Sequence, residues 1–150
     1  MSEIEIIKDR IERVLHGNAW HGTSIKELLA DITAKQAARY PIANAHSIWE
    51  IVHHISCWHR SVKRRLRGEN YHPSDSENWK PVTEVSDQAW EAAKEDMYQS
   101  AEELILELNS VVDLNDQVFD RPFSYSIMLN GLVEHDTYHA GQIAMLCKLL

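Results

Sequence analysis

The sequence predicts an all-α protein built as a four-helix bundle, and three observations carry that expectation. Four segments place apolar residues at three- and four-residue spacing, which gives a helix one apolar face. Most of them are bounded by a capping residue or a glycine, and Pro, Asn, Ser and Asp gather in the stretches between. The chain has 150 residues, 44% of them hydrophobic, enough for one domain over 1–150 to bury a core without disulfide or metal staples.

The first helix carries Ile4, Ile7, Ile11, Val14 and Leu15, and Gly17 and Asn18 end it. Ser24 with Glu27, and Thr33 with Gln36, form two capping boxes before Pro41, so residues 24–40 read as one or two short helical turns in a connection. A further box, Ser47 with Glu50, opens a long helix running to about Arg67. Its stripe is Ile48, Ile51, Val52, Ile55, Trp58, Val62 and Leu66, and Gly68 is its stop. Residues 69–85, with Pro73 and Pro81, should form an irregular loop. The third helix spans about Asp87 to Asn109, with Trp90, Ala93, Met97, Ala101, Leu104 and Leu108 inward. Within the connection 110–123, residues 111–114 and 117–119 each have the composition of a short strand, although a lone strand has nothing to pair with. Ser124 caps a last helix that runs close to the end of the chain, with Met128, Leu132, Ile143, Leu146 and Leu150 inward. Ile127, Val133, Cys147 and Leu149 lie outside that stripe. They predict a second copy of the chain against this helix, or loops folded over it.

Charge and cysteine usage narrow the function classes. A net charge of -8 offers no general attraction to nucleic acid or acidic membranes. The one basic cluster, Lys63, Arg64, Arg65 and Arg67, falls where a helix ends and complements its negative pole. No window approaches the ~20 apolar residues of a membrane span, and the acidic N-terminus has no signal-peptide pattern. Cys57 and Cys147 stand far apart and read as free thiols of a reduced, cytoplasmic protein.

The histidines carry the chemistry. His135 and His139 lie one turn apart on the last helix, so both imidazoles can aim at one ion. The bland alternative is that each simply hydrogen-bonds within the core. His135-Asp136-Thr137-Tyr138-His139 approaches the H-E-x-x-H peptidase pattern, but Asp replaces the Glu that would serve as general base. After His139 the chain holds no further His, Asp or Glu, which disfavours a peptidase. A third ligand is best sought on the second long helix. There His53 points well out toward solvent, His54 lies at the edge of the apolar stripe and His59 projects near it. Burial favours His59, a position at the rim of a pocket favours His54, and periodicity leaves the choice open. Asp136 and Glu50 are candidates to orient the ligands, and Tyr138 or Tyr125 to supply a hydroxyl. His46 and Trp20-His21-Gly22 sit in connections that could reach a pocket mouth.

Two blocks carry a family resemblance. Ser47-Ile48-Trp49-Glu50-Ile51-Val52-His53-His54-Ile55 with Trp58 is one, and Gly131-Leu132-Val133-Glu134-His135-Asp136-Thr137-Tyr138-His139-Ala140-Gly141-Gln142-Ile143 is the other. Together they resemble the DinB/YfiT-like superfamily, and Gly17-Asn18-Ala19-Trp20-His21-Gly22 is similar in flavour. The resemblance implies an up-down-down-up four-helix bundle with a metal at one end of its core. It assigns His54, His135 and His139 as ligands of one divalent ion, nickel or zinc, and implies a homodimer. Characterised members include thiol-dependent transferases and isomerases, so it also implies activation of a low-molecular-weight thiol for transfer. A metal-dependent hydrolase and a non-catalytic metal- or ligand-binding bundle are the alternatives. The motif encodes no substrate and names no catalytic residue.

Overall fold

In the computed structural model, which describes residues 1–111 and 113–150, the chain is all-helical. Four long helices, α1 (Glu3–His16), α4 (Ile48–Leu66), α6 (Asp87–Glu107) and α7 (Tyr125–Cys147), form the body. Three short ones, α2 (Ile25–Leu29), α3 (Ala34–Ala37) and α5 (Asp75–Asn78), lie in the connections, and a 3-10 turn (Leu108–Ser110) extends α6. Local chemistry explains most starts. Ser2, Ser24, Thr33, Ser47 and Ser74 each accept from the backbone N–H three residues on, and the Glu or Gln there returns the bond.

The loop expected over 69–85 therefore contains a helical turn, α5, built on Ser74 and Glu77. The strand considered for 111–114 includes Val112, which is outside the described residues. Around Gln117 there is a single antiparallel bridge to Ser124, and no strand forms among the described residues.

Contacts between the long helices fix their relative senses. Arg60 pairs with Asp96, Lys63 with Glu103 and Arg67 with Glu107, so contacts climb together along α4 and α6. Glu3 accepts from Ser126 and Arg10 donates to Asn130, which again climb together along α1 and α7. Along α4 and α7 the order reverses: His54 meets His139, and Val62 and Arg65 share a cavity with Ile127 and Met128.

One apolar core fills the interior, with Ile11, Leu15, Val52, Ile55, Met97, Leu104, Leu129 and Ile143 within it. Trp90 anchors the connection before α4 by donating its indole N–H to the Ile32 carbonyl at 2.8 Å. Of the two coverings expected for α7, a connecting segment supplies part. The helix packs against α1 and α2 as well as α4. Val133 is buried and the Cys147 thiol lies 3.7 Å from the Leu28 carbonyl oxygen, so both are covered within the protomer. Ile127 and Leu149 stay exposed. Cys57 and Cys147 are free, half-buried thiols, each pushed upward in pKa by burial.

Candidate metal centre

Helix α4 presents His54, and α7 presents His135 and His139, at one end of the core. The Nε2 atom of His135 lies 3.0 Å from Nε2 of His54 and 3.1 Å from Nε2 of His139. His54 and His139 are buried and His135 is half-buried. An ion held about 2.1 Å from each imidazole nitrogen would space neighbouring nitrogens by roughly 3.0–3.4 Å. The observed separations lie in that range.

The other ring nitrogens decide how this cluster must be read. Nδ1 of His54 faces the Asn78 carbonyl at 2.9 Å, and Nδ1 of His139 faces Oε1 of Gln142 at 2.7 Å. Nδ1 of His135 is 3.3 Å from the Asp136 carboxylate. Carbonyl and carboxylate oxygens only accept, so each Nδ1 carries the proton. Each Nε2 is then a lone pair, and three lone pairs point at one another. Together they form a donor set that a divalent ion could take.

A family model describing the DinB superfamily matches residues 18–143. The chain belongs to the DinB superfamily. No curated protein and no solved structure matches it. Membership in the DinB superfamily and the histidine cluster together fit a metal-binding helical protein.

Burial first, and then the charge that His135 and His139 would carry, pushes the His54 imidazole down to about 4 against the opposing bond to Asn78. Burial followed by His135 brings His139 to about 4, with Gln142 opposing. Both rings are therefore neutral near pH 7, the form that ligates. The same shifts link stability to pH. Between about 4 and an unfolded value near 6.5 the unfolded chain binds more protons than the folded one, so stability falls as pH drops through that window. The metal-free protein should show a lower urea midpoint at pH 5 than at pH 7, and a His54→Gln/His139→Gln variant should show a shallower dependence. Equal pH slopes would contradict the account.

Of the two α4 histidines that periodicity left in competition, His54 joins the cluster. His59 is fully enclosed and bonds elsewhere, its Nε2 2.8 Å from Asp136 and its Nδ1 3.1 Å from the Ser100 hydroxyl. Asp136 is 0% exposed and spans His135 and His59. Burial alone would raise its carboxyl, but the His59 charge and hydrogen bonds from both histidines outweigh that and bring it down to about 2. His53 points out less than expected: it is half-buried, it accepts from the Trp49 indole and its Nδ1 faces the Lys80 carbonyl, because the segment after α5 folds partly over it.

Glu50 stays at the start of α4, where it takes the Ser47 N–H, the Tyr40 hydroxyl and Nδ1 of His46. Tyr138 is exposed and receives an amide N–H from Gln142. Tyr125 begins α7, ten residues or about 15 Å along the axis from His135, and is remote from the cluster.

No motif or periodicity marks Trp79 and Asn78. The Trp79 ring stacks between His46 at 3.5 Å and His54 at 3.8 Å, both nearly parallel to it. Asn78 holds His54 through its backbone carbonyl and receives the Trp58 indole N–H on its side-chain oxygen. Trp79→Ala should free the His54 ring and weaken zinc or nickel binding by about 10–100-fold, the usual effect of removing a group that orients a ligand. Calorimetric titration checks this, and an unchanged affinity would show that the stack does not hold His54 in place.

Proposed function

We propose that this protein binds one divalent ion, nickel or zinc, through His54, His135 and His139, and activates a low-molecular-weight thiol for transfer to an electrophile. The observation that carries the metal reading is the convergence of three Nε2 atoms, each on a ring whose Nδ1 faces an acceptor. Three histidines leave at least one coordination position open. When bound, such an ion lowers the pKa of a coordinated thiol so that the thiolate is available near neutral pH.

The rest of the site favours thiol transfer over hydrolysis. Hydrolysis needs a group free to take a proton from water at the cluster. Asp136 is enclosed and already bonded to two histidines, and Glu50 is committed to Ser47, Tyr40 and His46. A thiol requires no such base: its proton would pass to solvent as the thiolate forms, and the thiolate sulfur then bonds the electrophilic carbon as that carbon's leaving group departs with its electron pair or its π bond opens. The chain's own contribution is to hold three imidazoles in place and to offer an apolar cavity beside His135.

The helix senses support an up-down-down-up order, since α4 and α6 share one sense and α1 and α7 the other. We also assign the exposed face of α7 as the contact between two copies, because Ile127, Tyr138 and Met145 recur along it at helical spacing and Leu149 follows just beyond its end. No helix among the described residues is long and apolar enough to cross a membrane.

The test loads the protein with nickel and adds a panel of low-molecular-weight thiols, following the sulfur-to-nickel charge-transfer band and then transfer to a chromogenic electrophile. One thiol should give the band and turn over, and a His139→Ala variant should do neither. Nickel retained with no response to any thiol would move the non-catalytic reading ahead.

A further inference from the structure

The basic cluster at the end of α4 divides on inspection. Lys63 pairs with Glu103, Arg64 with Glu69 and Arg67 with Glu107. Arg65 is the exception. It is only 6% exposed, yet among the described residues it forms no ion pair, and its one hydrogen bond runs from Nε to the Tyr71 carbonyl at 3.0 Å. Arg121 donates to the same carbonyl at 3.3 Å and to Asn70, and among the described residues neither guanidinium is paired with a carboxylate. The Trp58 ring, centred 5.4 Å from the Arg65 guanidinium carbon, offsets only part of the cost of burying a cation without a counter-charge, and in a chain of net charge -8 carboxylates are plentiful elsewhere.

Arg65 lines a largely apolar cavity of about 270 Å³ between α4 and α7, small enough for a compact ligand. Trp58, Val62, Met128 and Leu132 make its walls and His135 lines it as well. Arg65 lies three turns along α4 from His54, about 16 Å, so the cavity leads from the histidine cluster to the guanidinium.

We propose that this cavity binds an apolar carboxylate, with its anionic head on the Arg65 fork and its body between Trp58, Val62 and Leu132, facing the histidine cluster. A guanidinium whose two N–H₂ groups have no hydrogen-bond partner among the described residues matches a carboxylate bidentately, and the walls of the cavity match an apolar body. The assignment rests on the thiol-transfer reading only for the role of this ligand as second substrate. Its binding step stands without the metal.

Calorimetric titration with octanoate and with uncharged octanamide tests it, on the original chain and on Arg65→Gln, each metal-free and zinc-loaded. Octanoate should bind more tightly than octanamide by at least about tenfold, the usual worth of hydrogen bonds to a charged group. The preference should be the same with and without zinc and should vanish in Arg65→Gln. Leu132→Trp, which fills the cavity, should weaken both ligands. Equal binding of the two, no binding of either, or a preference that survives Arg65→Gln or that appears only with zinc would overturn the proposal. If Arg65→Gln does not fold, a crystal structure of the original chain with octanoate decides: a carboxylate on Arg65 supports it and one placed elsewhere overturns it. An octanoate preference that persists in a protein unable to bind zinc would support this site while sinking the metal reading.

Discussion

Replacing His139 with alanine should lower zinc or nickel affinity by more than about 100-fold, beyond the range seen when only an orienting group is lost. His139 contributes one of three converging lone pairs, and His135 would then face His54 alone. Ligand binding to the folded state raises stability by about 2.7 kcal/mol at a metal concentration 100 times the dissociation constant. That increment should be present in the original chain and absent in His139→Ala at the same concentration. Thermal unfolding with and without added zinc measures it. A variant that keeps its metal-dependent rise would show that the ion sits elsewhere.

Asp136→Ala should have the largest effect on the fold itself. Its carboxylate, fully enclosed, joins His135 to His59, and His59 continues through the Ser100 hydroxyl to the Met97 carbonyl. Removing one partner of a buried pair leaves the other unsatisfied, a loss of about 3–5 kcal/mol. The same change frees the His135 ring and should weaken metal binding by about 10–100-fold. A double variant separates these effects. Asp136→Leu with His59→Leu removes both polar partners and should recover most of the stability, while metal affinity stays low. Urea unfolding and metal titration of both variants check this, and a single variant as stable as the original would contradict the reading. Because the Asp136 carboxyl lies at about 2 in the fold against an unfolded value near 3.9, its contribution is present above pH 4 and is lost as pH falls toward 2.

Much of this was legible from periodicity and capping. The four long helices fall where the apolar stripes and the Ser47 and Ser124 caps place them. The one-turn spacing of His135 and His139 puts them on one face, as helical geometry demands. The family blocks, and not periodicity, separated His54 from His59, and the structure gives His59 a different occupation as the partner of Asp136.

What stayed hidden depends on contacts between segments distant in sequence. Asp136 lies off the apolar stripe of α7, yet it is buried because α7 is packed on more than one side. Val133 is buried on the same helix for the same reason. Asn78 and Trp79 reach His54 from more than twenty residues away, across a stretch whose Pro, Ser and Asp content pointed only to a loop. The Ser74 and Glu77 box that builds α5 could be read in the sequence, but no apolar run follows it to mark a helix. Arg65 looked like one of four cations complementing a helix end, and only the ion pairs of the other three set it apart.

The central claim is that His54, His135 and His139 share one ion. X-ray absorption at the metal edge of the nickel- or zinc-loaded protein, compared with His54→Ala, tests it most directly. The account predicts about three imidazole nitrogens in the original chain, near 2.0–2.1 Å for zinc, and the loss of at least one of them in the variant. A spectrum without imidazole scattering, or one unchanged by His54→Ala, would contradict it.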